Sequence, residues 1–232
     1  MKKLTRTLLV GISALVALGT LSACSGGSST KASSSAEAPT TTAAASDKFP
    51  QSARYIADMT AADGKTMTIG ISVDGAEIAA YACNGTDDEA WFFGNQTDGK
   101  IDIKSRFRDT LNAEFDGSNV AGDLNMNGVA YQFTAAPVSG DAGMYTAVLD
   151  GVRASWVVRE NGSAIGVQFN GVNLDAADVQ QLNDAQFRAE VRNKRQLQQA
   201  QQITRLSNGR ASSKINNKNV EPTLVNGSFR LG

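Results

Sequence analysis

The chain has 232 residues, a formal net charge of −1, two cysteines and no histidine. The lack of histidine excludes the Ser-His-Asp and Cys-His catalytic arrangements and the commonest protein ligand of zinc. Two cysteines, one of them near the start of the chain, exclude a cysteine-ligated metal cluster. The sequence therefore favours a fold that is held together by packing alone.

Residues 1–23 show the order of features that is typical of a secretion signal. Three of the first six residues are cationic, and Leu8–Leu21 is an apolar stretch that is short for a membrane span. The sequence LSAC at residues 21–24 resembles the bacterial lipobox, which implies that Cys24 is diacylated and becomes the first residue after cleavage. The alternative is an ordinary signal peptide with a coincidental cysteine. We expect export and a lipid anchor at Cys24 on the outer face of the cell membrane.

Residues 24–49 are rich in Ser, Thr, Ala and Gly and contain almost no large apolar side chain. Such a segment buries too little surface to offset its conformational entropy, so we predict a flexible linker. Roughly 180 residues follow it, enough for one domain with its own core.

Residues 50–172 are divided by Asx-Gly pairs, most of them about nine to fourteen residues apart. The pairs begin at Asp63, Asp74, Asn84, Asp98, Asp116, Asn127, Asp150, Asn161 and Asn170. Asx-Gly tolerates the positive φ angles of tight hairpin turns. The spacing predicts a mainly β domain, an antiparallel meander that forms a β-barrel or, alternatively, a two-sheet β-sandwich. We favour the barrel.

Hairpin register allows a test, because each two-residue turn fixes which side chains share a face. The pairings predicted are Gln96–Ile101 continuing to Ala90–Phe107, Phe115–Val120, Leu124–Tyr131, Tyr145–Trp156 and Trp156–Val167. They agree on one buried face, with large inward side chains at Phe92, Phe107, Tyr131, Phe133, Tyr145, Trp156 and Phe169. The first hairpin fits only with a three-residue loop at 63–65, where we expect a β-bulge.

Residues 173–208 differ in composition from the segment before them, because they contain no Gly or Pro and are rich in Ala, Gln, Leu and Arg. We predict a long C-terminal helix, with Asp175 as its N-cap and Asn208-Gly209 as its stop. Residues 209–232 form a basic tail with a short hairpin.

Residues 80–94, AYACNGTDDEAWFFG, contain Tyr81, Cys83, Trp91 and Phe93 on the outward face of neighbouring strands. This stretch is similar to a Tyr-x-Cys-Asx-Gly and Glu-Ala-Trp pattern of predicted actinobacterial secreted β-rich lipoproteins of unassigned function, and the resemblance implies a secreted β domain and no activity. An exposed apolar patch marks a binding surface, so Tyr81, Trp91 and Phe93 are candidate partner-binding residues. The alternative is that the C-terminal helix or the tail covers them. We expect Cys83 to be a small buried hydrophobe.

Two acidic stretches carry weak signals for a metal. Residues 123–128, DLNMNG, match the opening of a calcium loop, but its twelfth position is Thr134 where the loop requires a bidentate Glu. The run at 87–89, DDE, is typical of a solvated turn. We therefore predict no metal and no cofactor.

Charge is unevenly distributed along the chain. Residues 50–187 carry eight Lys and Arg against nineteen Asp and Glu, whereas residues 188–232 carry nine against two. Either the acidic body attracts the basic segment, or that segment contacts anionic lipid or wall polymer. The excess of negative charge in residues 50–187 argues against nucleic acid as a partner.

We predict a membrane-anchored lipoprotein of the cell envelope that acts as a non-enzymatic binding or scaffold module, with an envelope protein or wall polymer as partner. One alternative is a carrier that holds a small apolar ligand inside the barrel, and another is a histidine-independent hydrolase with paired carboxylates. A cavity inside the barrel, and any carboxylate lining it, would distinguish these alternatives.

Overall fold

The computed structural model describes residues 48–172, 190–205 and 210–232. Strands dominate, and they pair antiparallel. Their bounds are β1 Ser52–Thr60, β2 Thr66–Asp74, β3 Glu77–Cys83, β4 Glu89–Thr97, β5 Lys100–Lys104, β6 Thr110–Phe115, β7 Val120–Met126, β8 Val129–Pro137, β9 Gly143–Leu149, β10 Val152–Val158, β11 Ala164–Val172, β12 Arg195–Gln199, β13 Thr204–Arg205, β14 Ala211–Ile215, β15 Lys218–Val220 and β16 Thr223–Leu224.

The first eight strands form a closed barrel in the order of the chain. Alternate residues of each strand point inward, as in β2, where Met67, Ile69, Ile71 and Val73 all lie in the barrel core. The predicted antiparallel barrel is therefore confirmed, with eight strands in place of the ten or eleven that one continuous meander would contain.

Side chains fill the barrel interior. Phe92, Tyr131 and Phe133 are buried there as predicted. Phe49 closes one end, since its ring stacks on Phe115 with 4.7 Å between centroids. Eight strands enclose a space that side chains alone can fill, and this barrel is an example.

Two contacts between barrel strands are short. The ladder from β4 to β5 contains only the pairs Gln96–Ile101 and Thr97–Lys100, and the ladder from β8 to β1 also contains two pairs. Every other ladder of the barrel has five or more pairs. The barrel is thus two four-stranded curved sheets that are closed by brief contacts.

A second sheet, with strand order β12-β11-β10-β9-β16, packs against the outside of the barrel. Met144 and Val157 of this sheet are buried in one cluster with Tyr81 and Cys83 of β3. The approach is close at Gly70, where a Cβ atom would lie 2.5 Å from Cγ of Met144. A larger residue at that position would separate the two layers.

A third sheet, β13-β14-β15, covers the other face of the second sheet. Tyr145 and Trp156 lie between these two sheets, so their predicted position inside the barrel is wrong. Indole Nε1 of Trp156 donates a 2.8 Å hydrogen bond to the carbonyl of Gln201. The two remaining predicted inward residues, Phe107 and Phe169, are half-buried outside the barrel.

The long C-terminal helix is not found in the described residues. Residues 190–193 are helical and Arg195–Gln199 is strand β12, which pairs with β11. Tertiary contacts override the helical propensity of this stretch, because β12 completes the edge of the second sheet and directs Arg195 toward the barrel. Residues 173–189, including Asp175, lie outside the described residues, as do residues 206–209.

Predicted register holds at the hairpins after Phe115, Met126 and Leu149. It fails at the Asp74-Gly75 hairpin, where a two-residue turn would pair Val73 with Ala76 but Val73 pairs with Ile78. It also fails at the hairpin after Val158, because Trp156 pairs with Gly166 and not with Val167. There Arg159 N–H donates to the carbonyl of Ser163, which makes the loop one residue longer than a two-residue turn allows. The slip places Val167 on the barrel side of the second sheet and Trp156 on the opposite side.

The three-residue loop and the β-bulge expected in the first hairpin are also wrong, since Thr60 pairs with Thr66, Met59 pairs with Met67, and the ladder from Ser52 to Thr60 is regular. A shift in register occurs instead between β11 and β12, at Phe169 and Val172. Among the described residues, no helix combines the length and the apolar character that crossing a membrane requires.

Candidate binding pocket in the barrel wall

A pocket of about 420 Å³ lies where β4 and β5 separate, beside the second sheet. Its volume is within the range of sites for small ligands. Several strands and the end of the tail contribute to it. The lining residues are Glu89, Ala90, Trp91, Phe93, Lys104, Ser105, Arg106, Phe107, Arg153, Phe169, Val172, Val191, Arg195, Leu231 and Gly232.

The opening is a wedge between residues 89–95 of β4 and residues 102–107, and we call it the wedge below. Its narrow end is at Gly94, where a Cβ atom would lie 2.8 Å from Cγ1 of Ile103. Beyond Gly94 the ladder does not continue, so the predicted pairing of Ala90 with Phe107 is not formed. The β5 strand ends at Lys104, after which the hydroxyl of Ser105 accepts the N–H of Phe107 and begins a turn.

Backbone hydrogen bonds of successive residues in a strand point to opposite sides, and this shows which backbone groups of β4 face the wedge. Gln96 N–H donates to the carbonyl of Ala76, so the even residues of β4 bond to β3. The N–H and C=O groups of Trp91 and Phe93 therefore point toward β5 beyond the end of the short ladder, whereas Asn95 flanks the Gln96–Ile101 pair and belongs to that ladder. Within the described residues, the barrel wall thus has a strand edge without a ladder partner at this position.

The same argument applies to β5. Phe115 N–H donates to the carbonyl of Gly99 and Ser105 N–H donates to the carbonyl of Asp109, so odd residues bond to β6. Asp102 and Lys104 therefore direct their backbone groups toward β4. Both sides of the wedge carry backbone donors and acceptors without ladder partners in the described chain.

Aromatic rings form the apolar part of the pocket. The rings of Trp91 and Phe93 stack with 5.5 Å between centroids, and Phe229 of the tail lies 5.3 Å from Trp91. Phe169 and Phe107 lie on the opposite side, each beneath an arginine guanidinium at about 5 Å. Such surfaces bind flat or extended apolar groups.

A carboxylate and two arginines form the polar floor. Glu89 is 2% exposed, accepts a 3.0 Å hydrogen bond from the hydroxyl of Tyr81 and forms an ion pair with Arg153. Arg195 donates 2.8 Å to the carbonyl of Glu89 and pairs with Asp88. Burial and the neighbouring Arg192 lower the pKa of Arg195. The floor is thus rigid and charged.

The rim has an excess of positive charge. Lys104 and Arg106 are exposed, and within the described part of the chain neither forms an ion pair. Four cationic side chains and one carboxylate side chain line the pocket in total. The field at the opening therefore favours an anion.

Two buried donors at the pocket lack acceptors among the described residues. They are Nε1 of Trp91 and Nε of Arg153, and Trp91 is only 7% exposed. A buried donor without a partner costs about 1–3 kcal/mol, so native structures contain few of them. Both side chains line the pocket, and the two nitrogen atoms themselves have almost no accessible surface.

The predicted partner-binding residues have different environments. Trp91 and Phe93 line the pocket, and Phe93 is half-buried. Tyr81 has no exposed surface, because the second sheet covers it, so we leave it out of the site. The cover that the sequence assigned to the C-terminal helix or the tail consists of the second sheet with Val225 and Phe229 of the tail.

Cys83 lies in the same covered layer. It is fully buried, and burial raises its thiol pKa to about 12. The hydroxyl of Tyr81 is buried beside it, and burial also raises the pKa of that phenol. A thiol that stays protonated at neutral pH is a poor nucleophile.

A cluster of arginines joins the C-terminal segment to the barrel. Arg192 donates to both oxygens of Asp109 at 2.5 and 2.6 Å and to Asp88 at 2.6 Å. Its side chain is 6% exposed and that of Asp109 is 3% exposed. Of the two interpretations of the charge imbalance, these contacts favour attraction between the acidic body and the basic segment. The sequence indicated this attraction but not the partners.

Among the described residues, neither acidic stretch forms a group of side chains that could hold a metal ion. Within the described ranges, three or more carboxylate or cysteine side chains never come together at a distance suited to one ion. Asp87 accepts hydrogen bonds from Asn84 and Thr86, and Asn127 sits in the β7–β8 turn with a φ of 51°. The calcium-loop resemblance is thus explained by an ordinary hairpin.

Comparisons of the chain with protein-family models, curated proteins and solved structures find no match.

Proposed function

We propose that this protein is an envelope lipoprotein, held to the membrane through Cys24, whose barrel and second sheet form a non-enzymatic binding module. The ligand site is the pocket at the wedge, and the ligand combines an anionic group with an apolar part. The observation that carries the proposal is the juxtaposition of stacked Trp91 and Phe93 with the uncompensated cations Lys104 and Arg106.

The other functions considered fit the described residues less well. A carrier would need space inside the barrel, where side chains form one continuous buried cluster. A hydrolase would need a free pair of carboxylates, and the two buried ones, Glu89 and Asp109, are each engaged by an arginine. A binding role uses the features that the pocket does have.

A fluorescent aromatic sulfonate, anilinonaphthalene sulfonate, tests this proposal because it contains both an anionic and an apolar group. With the Trp156→Phe variant, Trp91 becomes the only tryptophan reporter. We expect saturable binding of one dye per chain that quenches Trp91 fluorescence. Circular dichroism on the same samples establishes that the chain stays folded during the titration.

A matched pair of charge variants locates the dye. Lys104→Gln with Arg106→Gln removes two positive charges at the rim, and we expect at least a tenfold loss of affinity. Lys214→Gln with Lys218→Gln removes two charges from β14 and β15, away from the pocket, and should leave affinity unchanged. Equal effects of the two pairs, or dye binding that does not saturate, would contradict the proposal.

A further inference from the structure

We infer that the ligand is a short acidic peptide in extended conformation, which enters the wedge and adds to the free edge of β4. This inference rests on the proposed function, because it names the class of ligand for the same pocket. It commits to a peptide, in preference to a small amphiphile or an anionic polymer, because of the backbone groups on both sides of the wedge.

The first argument is hydrogen bonding. Trp91 and Phe93 direct their backbone donors and acceptors into the wedge, at the two-residue period of a strand edge. Peptides bind such edges by forming the missing ladder, and pockets for alternate side chains then provide specificity. A small amphiphile would leave most of these groups without partners.

The second argument is the two faces of the added strand. Side chains on its inner face would lie beside Phe92 and Ile103, which belong to the filled barrel core. Those positions must therefore be small. Side chains on the outer face would lie beside Trp91 and Phe93, where there is room for one apolar side chain.

The third argument is charge. Lys104 and Arg106 are exposed on the β5 side of the wedge, and Asp102 is the nearest opposing carboxylate of that strand. Acidic residues at the outer positions of the peptide would reach these cations. The expected pattern is acidic, small, apolar, small, acidic.

The test uses the peptide acetyl-Glu-Ala-Val-Ala-Glu-amide as probe on the full soluble chain that begins after residue 24. We expect it to displace the dye with one site per chain and to bind at least tenfold more tightly than the version with both Glu replaced by Gln. Two N-methylated versions, one methylated at odd residues and one at even residues, test the backbone contacts. One of the two should lose at least tenfold in affinity, because methylation removes the donors that face β4.

Amide hydrogen exchange gives an independent readout. Without peptide, the amides of Trp91 and Phe93 should exchange faster than those of Phe92, Gly94 and Gln96. With peptide, the first group should become protected and the second should change little. This alternation is specific to strand addition and would not follow from general stabilisation.

The outcomes separate the two proposals. If the dye binds at the pocket but the peptide does not displace it, or if both methylated peptides bind like the parent, the peptide inference is wrong while the proposed function stands. Displacement by long-chain polyphosphate but not by the peptide would also overturn it, in favour of an anionic polymer. If neither dye nor peptide binds, both proposals fail.

Discussion

The two tryptophans of this chain differ in the hydrogen bonding of their buried indole N–H groups. Trp156 lies between the second and third sheets and donates its indole N–H to the carbonyl of Gln201. Trp91 lies at the pocket, and its buried indole N–H has no acceptor among the described residues. The first tryptophan therefore has its polar group satisfied within the described fold, and the second does not.

Trp156→Ala should lower the free energy of unfolding by about 3–5 kcal/mol, because it removes a large buried side chain and leaves a cavity. Trp156→Phe should cost much less, since it retains most of the ring packing and loses mainly one hydrogen bond of about 1 kcal/mol. Denaturant titration measures both. A loss below about 1 kcal/mol for the alanine variant would contradict the burial of Trp156.

Cys83 makes stability depend on alkaline pH. Its pKa of about 12 in the folded chain is above the ordinary value of 9.0, so the thiol contributes stability that is complete below about pH 9 and is lost as the pH rises toward 12. We expect the free energy of unfolding to fall more steeply between pH 9 and pH 11 in the natural chain than in Cys83→Ala. Burial raises the Tyr81 pKa well above its ordinary value, and Cys83 contributes to that shift, so the difference between the two proteins reports the thiol together with its effect on Tyr81. Parallel curves would mean that the thiol is not buried.

At the scale of elements, sequence patterns predicted what turns and alternation determine locally. The Asx-Gly pairs placed most hairpins, and the register after Met126 followed from turn length alone. What could not be predicted depends on contacts between distant elements. The helix-like composition of 195–205 gave no sign that this stretch becomes an edge strand, because its partners lie in β11 and in the barrel.

The candidate site was predictable only in part, because local alternation determines some of its residues and tertiary packing determines the others. Outward Trp91 and Phe93, with Lys104 and Arg106 across from them, follow from strand alternation. The separation of β4 from β5, and the arrival of Arg153 and Arg195 from other parts of the fold, depend on tertiary packing. The apolar patch was thus visible in the sequence, whereas the pocket was not.

The arginine cluster should hold the C-terminal segment on the barrel. Arg192→Met leaves Asp109 buried without its cation, and we expect it to lower the free energy of unfolding by about 3–5 kcal/mol. Lys218→Met breaks an exposed pair with Asp150 and should have little effect, so it serves as the control. Urea titration of both variants checks this, and similar small effects would show that the cluster is not needed for stability.

At the scale of the whole molecule, three β layers succeed one another and the pocket opens at the junction of the first two. The barrel is filled and covered on one side, so the wedge is the place where the barrel wall itself is incomplete. The predicted linker of about 25 residues would let this surface reach partners at some distance from the proposed lipid anchor.

Cys24→Ala should release the protein from membranes. The proposed anchor consists of two acyl chains on Cys24, which would supply far more apolar surface for membrane binding than any other part of the mature chain. Fractionation of cells that express the natural chain and the variant checks this. Cys83→Ala is the matched control, since it removes the only other cysteine. Retention of Cys24→Ala in the membrane fraction would contradict the proposed anchor.

The incomplete environment of Trp91 provides the most direct test of the proposed binding site. A ¹⁵N-labelled chain has two indole N–H signals, and the Trp156→Phe variant assigns them. On titration with the acidic peptide or the aromatic sulfonate, we predict that the Trp91 signal shifts and saturates at one ligand per chain. The Trp156 signal, whose N–H is already bonded to Gln201, should stay in place. An unmoved Trp91 signal at saturating ligand would contradict the assignment of the pocket as the binding site.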